Sequence, residues 1–282
     1  MTDLQVLLDR LENRGVLTGA YSGMTEKELK HFNRCQEMAD ENGRVHPVYR
    51  VRDGLLATTN PNILTMKQAW FQAAPGRTLL IVSPSKFEPV ISLDELGLLE
   101  EARNLAESDC RLGEYILRRL GRPSPTKEET QYAKVVFFQG LMGKANPDLV
   151  DPSFSSAIPV PSVTWDQIRS TIFGGLPAGA LGRDSVRERS RKVRVRTTDV
   201  LLKAARDYES QAQFSSTLTG LFHDSLIIEA DASQKQAIIE WAGPVFASFS
   251  GYRFRVYVNS DIHAPAQARQ RSRMEMLLDS SN

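Results

Sequence analysis

The stretch LFHDSLIIEA, residues 221–230, decides how the rest of the chain is read. It sets Asp224 between two apolar runs, so this aspartate either holds a metal ion or merely closes a hairpin. Aspartate suits tight turns because its short carboxylate bonds nearby backbone N–H groups. The flanking runs, TLTGLF and SLIIEA, have the apolar and β-branched character of paired strands. A hairpin is expected under either reading, and the choice between them falls to the residues outside it.

The bulk numbers describe an ordinary globular chain. Of its 282 residues, 41% are hydrophobic and 24% charged, enough for one large domain or two small ones with a real core. Lysine and arginine number 35 against 34 acids, a net charge of +1, so no global field draws the molecule to nucleic acid or an anionic membrane. Any such attraction has to come from local patches. Cys35 and Cys110 are far apart and form no CxxC pair, which argues against a disulfide framework or a zinc site and for a reducing compartment. The opening MTDLQVLLDRLENRG is acidic and amphipathic, unlike a signal peptide, and no apolar run approaches the ~20 residues of a membrane span. A cytoplasmic protein that avoids membranes is expected.

Apolar spacing predicts two amphipathic helices within residues 2–40, then strand-like runs HPVYRVR and RTLLIVS separated by the turn-rich TTNPN. Residues 94–120 read as one helix ended by Gly121 and Pro123. A further helix starts near PSPTKEE, where Ser124 or Thr126 can cap it and Glu128 and Glu129 suit the positive end of its dipole. Residues 146–185 form a Pro-, Ser- and Gly-rich connection with at most one short helix, around TWDQIRSTIF. RERSRKVRVRTTDVLLKAARDYESQ reads as a basic lead into a helix, followed by the hairpin, a helix across ASQKQAIIEWAGPVFASF and a strand in YRFRVYVNS.

Five segments in one order resemble the palm and fingers of a family A DNA polymerase. GRVHPVYRVRDGLLATTNPNILTMK is similar to the stretch leading through TGRLSSxxPNLQN, with Gly54, Leu56, Pro61 and Asn62 in register. TLLIVSPSKFEPVIS resembles the first catalytic strand with its DYSQIELR, matched at Ser85, Phe87 and Glu88. ETQYAKVVFFQGLMG resembles the fingers helix RxxxKxxxFxxxYG, matched at Lys134, Phe138 and Gly143. RVRTTDVLLKAA stands where the family has QGTAADLMKLA, LFHDSLIIEA resembles the hairpin that presents a metal-binding carboxylate, and RFRVYVNSDIH follows as the last strand. The resemblance implies an α+β, right-hand-like fold with an antiparallel palm sheet, a helical fingers segment, no exonuclease domain and a reduced thumb. On it, residues 1–44 are a helical lead-in that serves as thumb remnant or partner-binding segment, 45–93 and 186–263 the two parts of the palm, and 94–145 the fingers. Residues 146–185 are the connection and 264–282 a basic flexible tail.

The departures from the family fall on the chemistry. Nucleotidyl transfer there uses two aspartates to hold two Mg²⁺ ions, and the first aligns with Ser83, a neutral hydroxyl that cannot balance a hard dication. Thr130 stands where the fingers arginine would grip the triphosphate, Met142 where the tyrosine would end the helix, Leu55 where the arginine of TGR would be, and Pro84 beside Ser83. Asp224 remains, and HDS is the form seen in single-subunit RNA polymerases of the same superfamily. One aspartate makes a weak metal site, and Glu88 is the sole nearby acid that could supplement it. No cofactor is expected, with Mg²⁺ required only if activity is retained.

Other candidates keep two readings. Lys134 is the phosphate-contacting lysine of the resemblance or one lysine on an amphipathic helix; Phe138 is a nucleotide contact or core; His223 packs beside the hairpin or contacts nucleic acid. Residues 183–196, RDSVRERSRKVRVR, hold seven basic residues against two acids, a solvated face or a phosphate track. The second reading nominates Arg191, Arg194 and Arg196, with Arg269, Arg271 and Arg273 of the tail as a further anchor. Three functions stay open: a catalytically disrupted polymerase-like protein that binds DNA or primer-template within replication or transcription machinery of a phage or mobile element, a subunit of an active split polymerase completed by a second polymerase or replisome subunit, and a protein-binding scaffold.

Overall fold

A computed structural model describes residues 3–259 apart from 22–23, 67, 145, 151–160, 175, 177–178 and 212–213. The chain divides into two units, one made of residues up to 84, 198–249 and from 256 onward, the other of 85–197 and 250–255. The tail arginines Arg269, Arg271 and Arg273 and most of the Pro/Ser/Gly-rich connection lie outside the described residues.

The first unit contains α1 (Asp3–Arg14), β1 (Val16–Leu17), α2 (Glu26–Gln36), β2 (Arg44–Val45), β3 (Val48–Arg52), β4 (Leu55–Thr59) and β5 (Thr78–Pro84). Its centre is an antiparallel sheet in the order β6-β7-β5-β8, in which β6 spans Thr217–Phe222, β7 Ser225–Ala230 and β8 Val256–Asn259. The run LLIV of β5 is buried throughout, as are all six residues of β7, so both faces of these central strands are covered. Gly220 makes one close approach possible: a Cβ there would meet Val16 Cγ2 at 2.7 Å and Tyr49 Oη at 2.9 Å. That tyrosine hydroxyl in turn accepts from Leu221 N at 3.1 Å, at the irregularity between Leu218 and Gly220. The β3–β4 hairpin closes through Asp53 and Gly54, at φ 51° and 77°, the paired positive values of a type I′ turn. Gly54, matched to a polymerase motif in sequence, is thereby also the turn glycine.

The second unit is helical: α3 (Phe87–Glu95), α4 (Leu99–Glu107), α5 (Leu112–Arg119), α6 (Lys127–Leu141) and α7 (Trp165–Ile172). Residues 94–120, expected as one helix, are the end of α3 followed by two more helices. The first break is a Schellman motif: Gly97, at φ 77°, donates to Asp94 O, and Leu98 N reaches Leu93 O at 2.9 Å. The same motif ends α5 at Gly121 and α6 at Gly143, where Lys144 N bonds Gln139 O at 3.0 Å. Thr126 caps α6 in a capping box with Glu129, as PSPTKEE suggests. Helices α5 and α6 meet closely at Gly113, whose added Cβ would lie 1.8 Å from Thr130 O.

A second difference concerns the basic run. It is no lead-in but part of a 28-residue helix, α8 (Arg183–Ser210), and the division between units falls inside it. Arg, Lys, Glu and Val continue a helix without a breaker, and internal acceptors relieve the crowding of like charge. The last helix, α9, spans Lys235–Ser250. Both cysteines are free and buried, and no helix among the described residues is long and apolar enough to cross a membrane.

Candidate functional site

Phe222 pairs with Ser225, leaving His223-Asp224 as a two-residue loop with His223 at φ 54°. The His223 side chain is exposed and lies edge-on to Phe222, ring centroids 4.3 Å apart. Asp224 is half-buried and accepts from Ser225 Oγ at 3.3 Å. Burial pushes its carboxyl above the ordinary range; its own backbone N–H, the Ser225 hydroxyl and the nearby His223 pull the other way without prevailing. A carboxyl held this way closes a turn adequately, but it is not surrounded by the cations that would keep it firmly ionised.

The neighbouring strand carries the aligned position. Val82 pairs with Leu226, so one further step of the antiparallel register sets Ser83 beside Ser225 and Pro84 beside Asp224. On its other side Ser83 pairs with Tyr257 of β8, whose ring is 53% exposed. After Thr78, Ser83 is the one position along β5 that is not buried, so the covered sheet opens to solvent here. The surface thus brings together Asp224, Ser83, Ser225 and Tyr257. It offers one carboxylate, and no group of three His, Cys, Asp or Glu able to hold a metal occurs among the described residues. Two Mg²⁺ ions need shared carboxylate oxygens, so these residues do not fit a two-metal centre. Tyr257 escaped the sequence reading because its position follows from the pairing of β8 with β5; the alternation in RVYVN was its one visible signal.

In the helical unit, Thr130, Lys134, Phe138 and Met142 follow one another at four-residue intervals and share a stripe of α6. Tyr132, Ala133, Val136, Phe137, Gly140 and Leu141 are buried on the rest of the helix. Lys134 is exposed and pairs with no acid among the described residues. Phe138 is half-buried, edge-to-face with Phe137 at 5.7 Å, and Met142 is 45% exposed. The positions matched to the fingers helix are therefore the ones its packing leaves available. Glu88 is exposed in the first turn of α3, in this unit, whereas Asp224 belongs to the other.

The arginines of α8 separate into two groups. Arg189 is buried and donates to Ala180 O at 2.8 Å and to Leu141 O, capping the last carbonyls of α6 where a cation is also favoured by the helix dipole. Arg196 pairs with Asp94 and with Glu95, the latter at 3.3 Å, and donates to Ser250 O at 3.4 Å. Arg196, nominated as a phosphate contact, is thus occupied within its own unit. Lys192 pairs with Glu188 at 2.9 Å. Arg191 and Arg194 are exposed with no acid partner among the described residues, and Arg187, missed in sequence, joins them at the i, i+4, i+7 spacing of one helix face.

No protein-family model matches the chain, and no curated protein does. Among solved structures it is similar to the POL domain of Pol1 from M. smegmatis in complex with DNA primer-template and dNTP, at a TM-score of 0.61 and 14% identity. The match covers 83% of this chain and 50% of that one, so the chain spans about half the length of the polymerase chain it resembles. The likeness establishes the fold: this is a DNA polymerase-like chain of mixed helices and antiparallel sheet.

Proposed function

We propose that the chain is a family A polymerase-like palm and fingers module that has lost nucleotidyl transfer and binds primer-template DNA as a component of replication or transcription machinery. The observation that carries this reading is Ser83, a hydroxyl on the strand adjacent to the hairpin of Asp224, where the family places its first metal-binding aspartate. Pro84, Thr130 and Met142 depart from the same constellation, while the outward arginines Arg187, Arg191 and Arg194 keep a face suited to phosphate. A second reading, a subunit of a split polymerase whose partner supplies the missing acid, is favoured by the retention of Asp224 on an intact turn.

The test is a pair of thermal melts. In Ser83→Asp, two carboxylates facing each other without metal repel, so the variant is expected to be less stable than the parent in chelator. Added Mn²⁺ binds the folded state selectively and should raise the variant's Tm more than the parent's. Equal responses of the two proteins to Mn²⁺ would show that Ser83 does not occupy a vacated metal-ligand position.

A further inference from the structure

On the first unit, away from the hairpin loop, Phe214, Gln234, Ala237, Glu240 and Trp241 line an open cavity of about 400 Å³. One wall is aromatic and braced. Tyr208 stacks on Phe214 at 5.3 Å and meets Trp241 edge-on at 4.9 Å, while the Trp241 indole N–H is already taken by Asp207 Oδ1 at 2.7 Å. Trp241 therefore has only ring surface to offer a ligand. The polar lining is of one kind: Gln234 Oε1 is buried without a hydrogen-bond partner, and the exposed Glu240 carboxylate receives a single bond, from Gln236 Nε2 at 2.9 Å. A buried acceptor left unmade is costly, and a carboxylate has room for several donors.

Aromatic faces beside acceptors with no free donor select a planar, donor-rich cation. We propose that this cavity is a docking site for an arginine side chain presented by a partner polypeptide. A guanidinium stacks on Trp241 and Phe214 and has donors enough to reach Gln234 Oε1 and Glu240 together, which the compact ammonium of lysine does less well. Glu240 disfavours a phosphate, so the site is distinct in chemistry from the arginine face of α8. It stands apart from the polymerase reading and survives if that reading fails.

The test follows the indole N–H signal of Trp241 by NMR in the full chain, assigned by its disappearance in Trp241→Phe, during titration with the peptide acetyl-Gly-Arg-Gly-amide. Saturable displacement of that signal, with an affinity on the order of 1 mM for a single side chain, is expected. The same peptide with citrulline, equal in shape but uncharged, should bind roughly tenfold more weakly, and Glu240→Gln should weaken the arginine peptide by about fivefold. Equal binding of the citrulline peptide, or no displacement by either, overturns the proposal. So does displacement by adenosine or thymidine with none by the arginine peptide, which would make the cavity a base pocket.

Discussion

The two groups of arginine on α8 have the same chemistry and opposite fates. Arg189 and Arg196 turn inward, one onto the carbonyl end of α6 and the other onto Asp94 and Glu95 at the end of α3. Arg187, Arg191 and Arg194 turn outward and meet no acid among the described residues. A run of positive charge is therefore not in itself a phosphate footprint. Helical phase assigns each cation to the packing or to the solvent, and only the second group is available for DNA.

Removing Arg189 should break the inward group most severely. Arg189→Met keeps much of the apolar stem but leaves the carbonyls of Leu141 and Ala180 without their donor, at a cost of about 2–4 kcal/mol. A fall in Tm of roughly 5–10 °C is expected, with DNA affinity of the folded fraction unchanged. Arg196→Ala leaves two carboxylates facing each other at a partly exposed site, and about 1–2 kcal/mol is expected from denaturant unfolding. A loss of DNA affinity in either variant without loss of stability would move that residue into the outward group.

The outward group should show the reverse. Replacing Arg191 and Arg194 together by Ala is expected to change stability by less than about 0.5 kcal/mol. The slope of log affinity against log salt for primer-template should drop by about 1.8, which is about 0.9 for each duplex phosphate that an arginine no longer neutralises. An unchanged slope would return this face to ordinary solvation.

What was legible in the sequence were features fixed locally. The hairpin at LFHDSLIIEA, the apolar strand in RTLLIVS and the capping box at the start of α6 each depend on neighbours a few residues away. The break of residues 94–120 was less visible, since the helical period resumes on both sides and Gly97 alone, through its positive φ, turns the chain. The division of the arginines was hidden for another reason: the acceptors of Arg196 come from α3 and that of Arg189 from α6, far off in the chain. The meeting of Ser83 with the Asp224 hairpin came from the family resemblance, because no pattern within β5 or β7 names its partner strand. Tyr257 was missed on the same ground.

Binding and chemistry can be separated in one sample. Labelled primer-template is titrated with the isolated chain and its retention measured, then Mg²⁺ or Mn²⁺ and all four nucleotides are added and primer length is followed. Saturable binding that weakens steeply with salt, together with no extension under either metal, is the expected result. Template-dependent extension that disappears in Asp224→Ala would contradict it, since one carboxylate beside Ser83 would then be sustaining the two-metal reaction.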